Sequence, residues 1–403
     1  MLYRGEVLRF DGEALVVAGE ASGDHHAGGL MRELHKIAPG LRFHGMGGEE
    51  MAAAGLEVLH DARDLAVMGL VEVAGSLWRG VATYRALKET MRRRRPRVAI
   101  LVDFPDFNLP LARAAHALGI PVVLFISPQL WAWRAGRVRT VARHVDRVIC
   151  ILPFEAAFYR TRGVSAVFVG HPLVDAAEQL DRSAEQRRMV GPGGGPVLAL
   201  VPGSRRQELA MMLPAMLDAA GRLARSPGLG ATLLPVASTL GEDDVIRAAG
   251  GASALGSVRL VRGAFFEVLA AADVALVASG TSTLAAALAS TPMVLGYRIH
   301  PLTYLLGRHL TRVDHVGLVN LVAGSRVVPE RLQDDFTGEE LARQASHLLR
   351  SSRARAAQRA AFSRVRTRLG PAGALARAAE VVIATVVHHE AGREIGAPPG
   401  EAV

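Results

Sequence analysis

Cysteine is almost absent: the 403 residues include one, Cys150, inside the apolar run Val148-Ile149-Cys150-Ile151-Leu152. A lone thiol excludes an intrachain disulfide framework and any multi-cysteine metal site, and its apolar setting predicts a buried packing role. Aromatic residues are scarce as well, at 5%, and no RNA- or DNA-reading signature accompanies the basic charge, so nucleic acid is not an expected partner. No apolar run approaches the roughly 18–20 residues that span a bilayer. The first ten residues carry Arg4, Glu6 and Arg9 with no apolar stretch behind them, which argues against a secretory signal, and the lack of a disulfide framework fits a reducing cytoplasm. The phosphate-binding pattern G-x-x-x-x-G-K-[ST] is missing, which argues against ATP hydrolysis.

Half of the residues are hydrophobic and the net charge is +9. A chain of this length can bury two ordinary cores, so two domains are expected. The positive balance, carried mainly by arginine, favours anionic partners such as acidic lipid or a phosphorylated substrate. A GC-rich coding sequence, which writes arginine for lysine, is the bland alternative.

Short apolar runs alternate with helical patterns, the signature of an α/β fold with parallel strands. Strands are predicted over residues 14–18, 98–102, 122–126, 148–152 and 166–169. A break follows at His171-Pro172, and the charged, then Gly/Pro-rich segment 181–195 reads as a linker. The pattern restarts with strands over 197–200, 232–235 and 274–277. Residues 390–403 read as a frayed tail. Two doubly wound, Rossmann-like domains facing one another across a cleft are the expected fold, with ligands at the carboxyl ends of the strands.

Four distinctive loops sit at such ends. Gly19-Glu20-Ala21-Ser22-Gly23-Asp24 is a tight strand-to-helix turn that offers backbone N–H groups to an anion or a sugar hydroxyl through Ser22, Gly23 and Asp24; the bland reading has Ser22 or Asp24 capping the helix. It is not G-x-G-x-x-G, and the adjacent His25 and His26 lack the i,i+4 spacing of metal ligands, so neither a dinucleotide nor a metal is expected. Asp103-Phe104-Pro105-Asp106-Phe107-Asn108 sets two carboxylates at a strand end. A carboxylate in a closed site can take the proton of an attacking hydroxyl, so Asp103 is assigned to chemistry and Asp106 to support, as an N-cap. Pro202-Gly203-Ser204-Arg205 and Ser279-Gly280-Thr281-Ser282 each open a helix and suit a diphosphate. The dipole alone contributes only ~0.3–1 kcal/mol, so Arg205 is needed for affinity.

Val67, Leu70, Val71, Ala74, Leu77, Trp78, Val81 and Tyr84, with Met68 beside them, recur at helical spacing and are followed by Lys88 and Arg92 to Arg95. An apolar face with basic flanks suits anionic lipid. Spacing alone favours the other reading, a crossover helix packed on its own sheet.

Taken in order, V-A-G-E-A-S-G-D, L-A-V-M-G-L-V-E-V, D-F-P-D-F-N, S-P-Q-L-W-A-W-R, I-L-P-F-E-A-A-F-Y, V-G-H-P-L-V-D, P-G-S-R, A-S-G-T-S-T-L and T-P-M-V-L-G-Y-R resemble the lipid-A-disaccharide synthase family, as do N-L-V-A-G and V-V-P-E-R-L-Q. The set runs from about Val16 to Gln333. The resemblance implies a GT-B fold divided into 1–172 facing acceptor and membrane, 173–350 binding the UDP-sugar, and helices 351–389 crossing back to the first domain. The implied reaction is metal-independent and inverting. It moves 2,3-diacylglucosamine from UDP to 2,3-diacylglucosamine 1-phosphate (lipid X), at the cytoplasmic face of the inner membrane, without a cofactor. It implies Asp103 as the essential aspartate, Arg205 as the P-G-S-R arginine beside Ser204, and Ser279, Gly280, Thr281 and Ser282 around the donor diphosphate. Asn108, Asn320 and Gln333 come over as substrate-binding positions. Val67, Met68, Leu70, Val71, Leu77 and Trp78 come over as the surface for acyl chains and an anionic membrane. A homodimer is left open.

One position departs from the pattern. The family's S-G-T-[AS]-[AT]-L-E ends in a glutamate expected to hold the donor nucleotide, and this chain has Ala285 there. The departure predicts weaker donor binding with catalysis retained. Three other readings stand beside the transferase: another GT-B enzyme on a UDP-amino sugar, a silent lipid-binding relative, and, from charge alone, a nucleic-acid binder.

Overall fold

The computed structural model describes residues 10–63, 73–131, 135–178, 180–190, 194–225, 229–299 and 315–396. The chain forms two compact units, one of residues 1–172 with 373–403 and one of residues 173–372.

The first unit is built on a parallel sheet whose strands are β1 (Gly12–Ala18), β2 (Leu41–Gly47), β3 (Leu56–Asp61), β4 (Val98–Val102), β5 (Val122–Phe125), β6 (Arg147–Cys150) and β7 (Ala166–Phe168). Their order across the sheet is β3-β2-β1-β4-β5-β6-β7. The continuous apolar runs follow from burial on both faces. Along β1, Ala14, Val16 and Ala18 enter one core while Leu15 and Val17 enter the other, the two-residue alternation of an extended chain. The first core is closed by Leu30, Met31 and Leu34 of the helix Ala21–Ile37 and by Val382, Ile383 and Val386 of the last helix, Ala374–Gly396. The second is closed by Leu87 and Met91 of the helix Val73–Arg94 and by Leu109 and Leu111 of the helix Pro105–Ala117. Cys150 lies fully buried in that second core, where burial pushes its thiol up and keeps it protonated.

The second unit repeats the plan with β8 (Val197–Val201), β9 (Ala231–Val236), β10 (Val258–Arg262), β11 (Val274–Ala278), β12 (Met293–Tyr297) and β13 (Glu330–Leu332), in the order β10-β9-β8-β11-β12-β13 and again all parallel.

Three boundaries differ from the sequence expectation. The segment expected as a linker holds a helix, Arg182–Val190. It is anchored because the Arg182 guanidinium donates to the Ala289 carbonyl at 2.7 Å, the Thr291 hydroxyl at 2.8 Å and the Ala272 carbonyl at 2.6 Å, satisfying the ends of two other helices. The return to the first unit falls at residue 373, later than 351. The helix Ser352–Arg368 stays with the second unit, where the Gln358 amide bonds both backbone groups of Met293, at 2.8 and 3.1 Å. The expected tail is helical to Gly396, and Glu390 takes a two-pronged bond from Arg97 at 2.6 and 2.9 Å.

Candidate active site

In each sheet the strand order reverses direction beside the first strand. The crevice opened by such a reversal, at the carboxyl ends of the two strands, is where ligands of these folds bind. In the first unit those strands are β1 and β4; in the second they are β8 and β11. The four loops singled out in the sequence are the four that follow these strands.

The loop after β4 is the most constrained. Asp103 and Phe104 both adopt left-handed backbone, with φ of 45° and 48°, and Ile126 at the end of the neighbouring β5 does so as well, at 61°. Each such residue costs on the order of 1–3 kcal/mol, and strain of this kind gathers at functional sites. Four contacts hold the turn. The Asp103 amide donates to the Phe125 carbonyl at 3.1 Å. The fully buried Asn108 amide donates to the carbonyls of Val102 at 3.1 Å and Asp103 at 2.7 Å. The Phe104 ring lies on Gly19, where an added Cβ would stand 2.3 Å from the ring. Asp103 is thus fixed directly beside the loop after β1. Asp106 is not the helix cap, which is Phe104; Asp106 lies in the first turn and pairs with Arg137 at 2.5 Å.

The loop after β1 is divided in its roles. Ser22 is exposed, and Gly23 packs against Ala18 and Val102. Asp24 does not reach outward, nor does it cap its own helix. It is buried, and its carboxylate accepts the backbone N–H groups of Gly48 at 2.6 Å, Glu50 at 3.0 Å and Met51 at 3.2 Å. That capping of the next helix explains the residue without a ligand. Burial, helped by His25, holds His26 down at about 4, so it is neutral at pH 7 and offers no cation to a diphosphate.

The turns of the second unit are built on glycine. Gly203 has φ +115° and Gly280 φ +137°, and a Cβ on Gly280 would meet nothing within 4 Å. Glu208 organises the first turn: its carboxylate accepts the backbone N–H of Ser204 at 3.1 Å and of Arg205 at 3.4 Å, and meets the Arg205 guanidinium at 3.2 Å. The Arg205 side chain is still 63% exposed. Tyr297, at the end of β12, is pushed up by burial and by Glu208. In the second turn the Ser279 hydroxyl donates to the Val316 carbonyl at 3.0 Å. Thr281 is exposed and Ser282 half-buried at the start of the helix Thr281–Leu288. Ala285, four residues into that helix, is buried.

Asn320 and Gln333 hold the protein's own backbone. Asn320 is fully buried, donates to the Val328 carbonyl at 3.1 Å and Glu330 at 2.8 Å, and accepts from Val327 at 2.8 Å and Val328 at 3.0 Å. Gln333 clamps the amide and carbonyl of Ile299 at 2.9 and 3.0 Å. Both side chains thereby support the loops around β12 and β13.

Val67, Met68, Leu70 and Val71 lie outside the described residues, as does the Leu77 side chain. The helix Val73–Arg94 turns Leu87 and Met91 inward, with Tyr84 against the same core, and leaves Trp78 69% and Val81 42% exposed. Its basic end largely faces carboxylates of the same unit: Arg93 meets Glu89 at 2.8 Å and Arg94 meets Glu57 at 2.6 Å.

The sequence gives no role to Glu155, although it lies in the I-L-P-F-E-A-A-F-Y motif. It is 2% exposed, and its carboxyl accepts the Trp131 indole N–H at 3.0 Å and the Leu152 amide at 3.1 Å. Burial pushes it up to about 7 against the pull of those bonds and of Ser127.

The family model for lipid-A-disaccharide synthetase matches residues 14–382. The chain belongs to the lipid-A-disaccharide synthase family. A lipid-A-disaccharide synthase of Syntrophus aciditrophicus is 46% identical over 374 residues, 92% of this chain and 97% of that protein. One of Myxococcus xanthus is 46% identical over 371 residues, 92% and 96% of the two chains. Among solved structures, the UDP-GlcNAc 2-epimerase of Neisseria meningitidis bound to UDP-GlcNAc gives a TM-score of 0.64 at 11% identity, over 93% of this chain and all of that one. CalG4, the calicheamicin glycosyltransferase, gives 0.59 at 18% identity, over 93% and 98%. These two likenesses carry the fold, a GT-B pair of Rossmann-like domains, and nothing finer.

Proposed function

We propose that the chain is an inverting glycosyltransferase that moves 2,3-diacylglucosamine from UDP to the 6-hydroxyl of lipid X, forming the β-1,6 disaccharide 1-phosphate and UDP. The observation that carries this reading is Asp103, held in a strained left-handed turn at the reversal point of the first sheet. Asp103 takes the proton of the acceptor hydroxyl as that oxygen attacks the anomeric carbon, and UDP departs with the bonding pair. The exposed Ser22 and the Asn108-supported turn frame the acceptor. In the second unit, Arg205, the amides behind Ser204, and the turn Ser279–Ser282 receive the diphosphate, where a guanidinium supplies charge and a two-pronged hydrogen-bond geometry.

The membrane half of the proposal rests on Trp78 and Val81. Among the described residues no helix is long and apolar enough to cross a membrane. Two large apolar side chains exposed on one helix instead suit a peripheral seat on the inner face of the inner membrane, where both acylated substrates reside. Trp78→Ser with Val81→Ser should release the protein from anionic vesicles with its melting temperature unchanged; unchanged vesicle binding would remove this seat. The transfer is tested by incubating pure protein with UDP-2,3-diacylglucosamine and labelled lipid X. Labelled disaccharide and UDP in equal amounts are expected. Ala285 favours the second reading, a silent lipid-binding relative: well-folded protein that yields no disaccharide at saturating donor would establish it.

A further inference from the structure

The segment Ser127–Trp131 follows β5 after Ile126, and β5 is the strand whose last carbonyl holds the Asp103 amide. Two side chains one helical turn apart, on the helix Glu155–Arg160, grip this segment. Glu155 takes the Trp131 indole N–H at 3.0 Å, at the segment's far end. Tyr159, fully buried, donates its hydroxyl to the Pro128 carbonyl at 2.9 Å, near the start. The Trp131 ring is set edge-on against Phe154, centroids 4.9 Å apart, just before the same helix. The Glu155 carboxyl also takes the Leu152 amide, so it is anchored to the chain leaving β6 as well.

A buried carboxyl is costly unless its bonds are used, and an apolar residue at 155 would pack the helix onto the sheet at lower cost. What the carboxyl supplies that an apolar side chain cannot is a fixed position for Trp131. We propose that Glu155, with Tyr159, is a positioning residue for the acceptor: it holds Ser127–Trp131 as the wall beside Asp103. The inference rests on the transferase reading for its kinetic consequences and on the hydrogen bonds alone for the clamp.

The test uses the full chain with Glu155→Gln and Tyr159→Phe, the second removing one oxygen and leaving the ring packing in place. Two quantities are measured: amide exchange of residues 127–131, and KM for acceptor and donor separately. Both variants should exchange faster across the segment. The acceptor KM should rise about 3- to 10-fold, the value of one ordinary hydrogen bond, with the donor KM unchanged within about 2-fold on the same scale. Unchanged exchange in both variants would overturn the clamp. Equal shifts in the two KM values, or a lower melting temperature with neither KM moved, would reduce Glu155 to packing and overturn the positioning role. A wild-type protein without transferase activity would refute the function proposed above, and the exchange measurement would still decide the clamp.

Discussion

The loop after β4 and the loop after β11 occupy equivalent places, each following the strand beside the first strand of its sheet, yet they are made differently. The first forces two residues with side chains, Asp103 and Phe104, into left-handed backbone and packs a ring onto Gly19. The second uses Gly280, which adopts its φ of +137° with open space around it. Strain with close packing fixes one side chain in one place, as a base aimed at a particular hydroxyl requires. An open glycine turn exposes backbone N–H groups and leaves room, as a diphosphate requires. The difference suggests a division of labour, with the reacting group in the first unit and the leaving group held in the second.

The sharpest way to break the comparison is Asp103→Asn, which preserves the turn and removes the proposed base. It should lower kcat by about 10²- to 10⁴-fold with UDP binding intact. Near-normal turnover would transfer the role to Asp106 or elsewhere. On the other side, Arg205→Ala should weaken donor use roughly 10- to 150-fold, the value of a charge-assisted bond, and Arg205→Lys should restore only part of it because the planar fork is lost. Full activity of the lysine variant would remove the two-pronged geometry from the account.

The glycines sharpen the contrast at smaller scale. Gly19→Ala drives a methyl into the Phe104 ring and should reduce kcat without changing the donor KM. Gly280→Ala meets no atom but must hold a backbone conformation nearly restricted to glycine, costing about 1–3 kcal/mol, and should raise the donor KM while sparing the acceptor. Identical kinetic signatures from the two variants would dissolve the proposed division.

Much of this was legible because parallel strands buried on both faces are written as unbroken apolar runs. The runs at β1, β4, β8 and β11 located their loops within a residue or two. β2 was hidden because it contains His44 and Gly45, the latter placed where a Cβ would strike the Val16 carbonyl at 2.1 Å. β10 reads Val-Arg-Leu-Val-Arg on the sheet edge, and β13 reads Glu-Arg-Leu, with no apolar run. Motifs located Asp24, Asn320 and Gln333 but not their partners, which are backbone groups and, for Asn320, also the Glu330 carboxylate, brought near by folding. Glu155 was invisible as a site because its environment is made by Trp131 and Leu152 from separate loops.

The last expected effect is on stability. Glu155 is held above its ordinary value, at about 7, by burial and faces Ser127, Trp131, Cys150 and Tyr159. A raised carboxyl stabilises the fold most below its unfolded value, about 4.5, and that contribution fades as pH rises through 7. The wild type should therefore lose on the order of 1–3 kcal/mol between pH 4.5 and 8 relative to Glu155→Gln. Parallel stability curves for the two proteins would show that Glu155 titrates normally.

The division of labour itself is tested by amide exchange of the wild type with and without UDP. Protection confined to residues 202–209 and 279–283, with residues 19–24 and 103–108 unchanged, is the predicted result. Protection centred on residues 19–24 and 103–108 would contradict it.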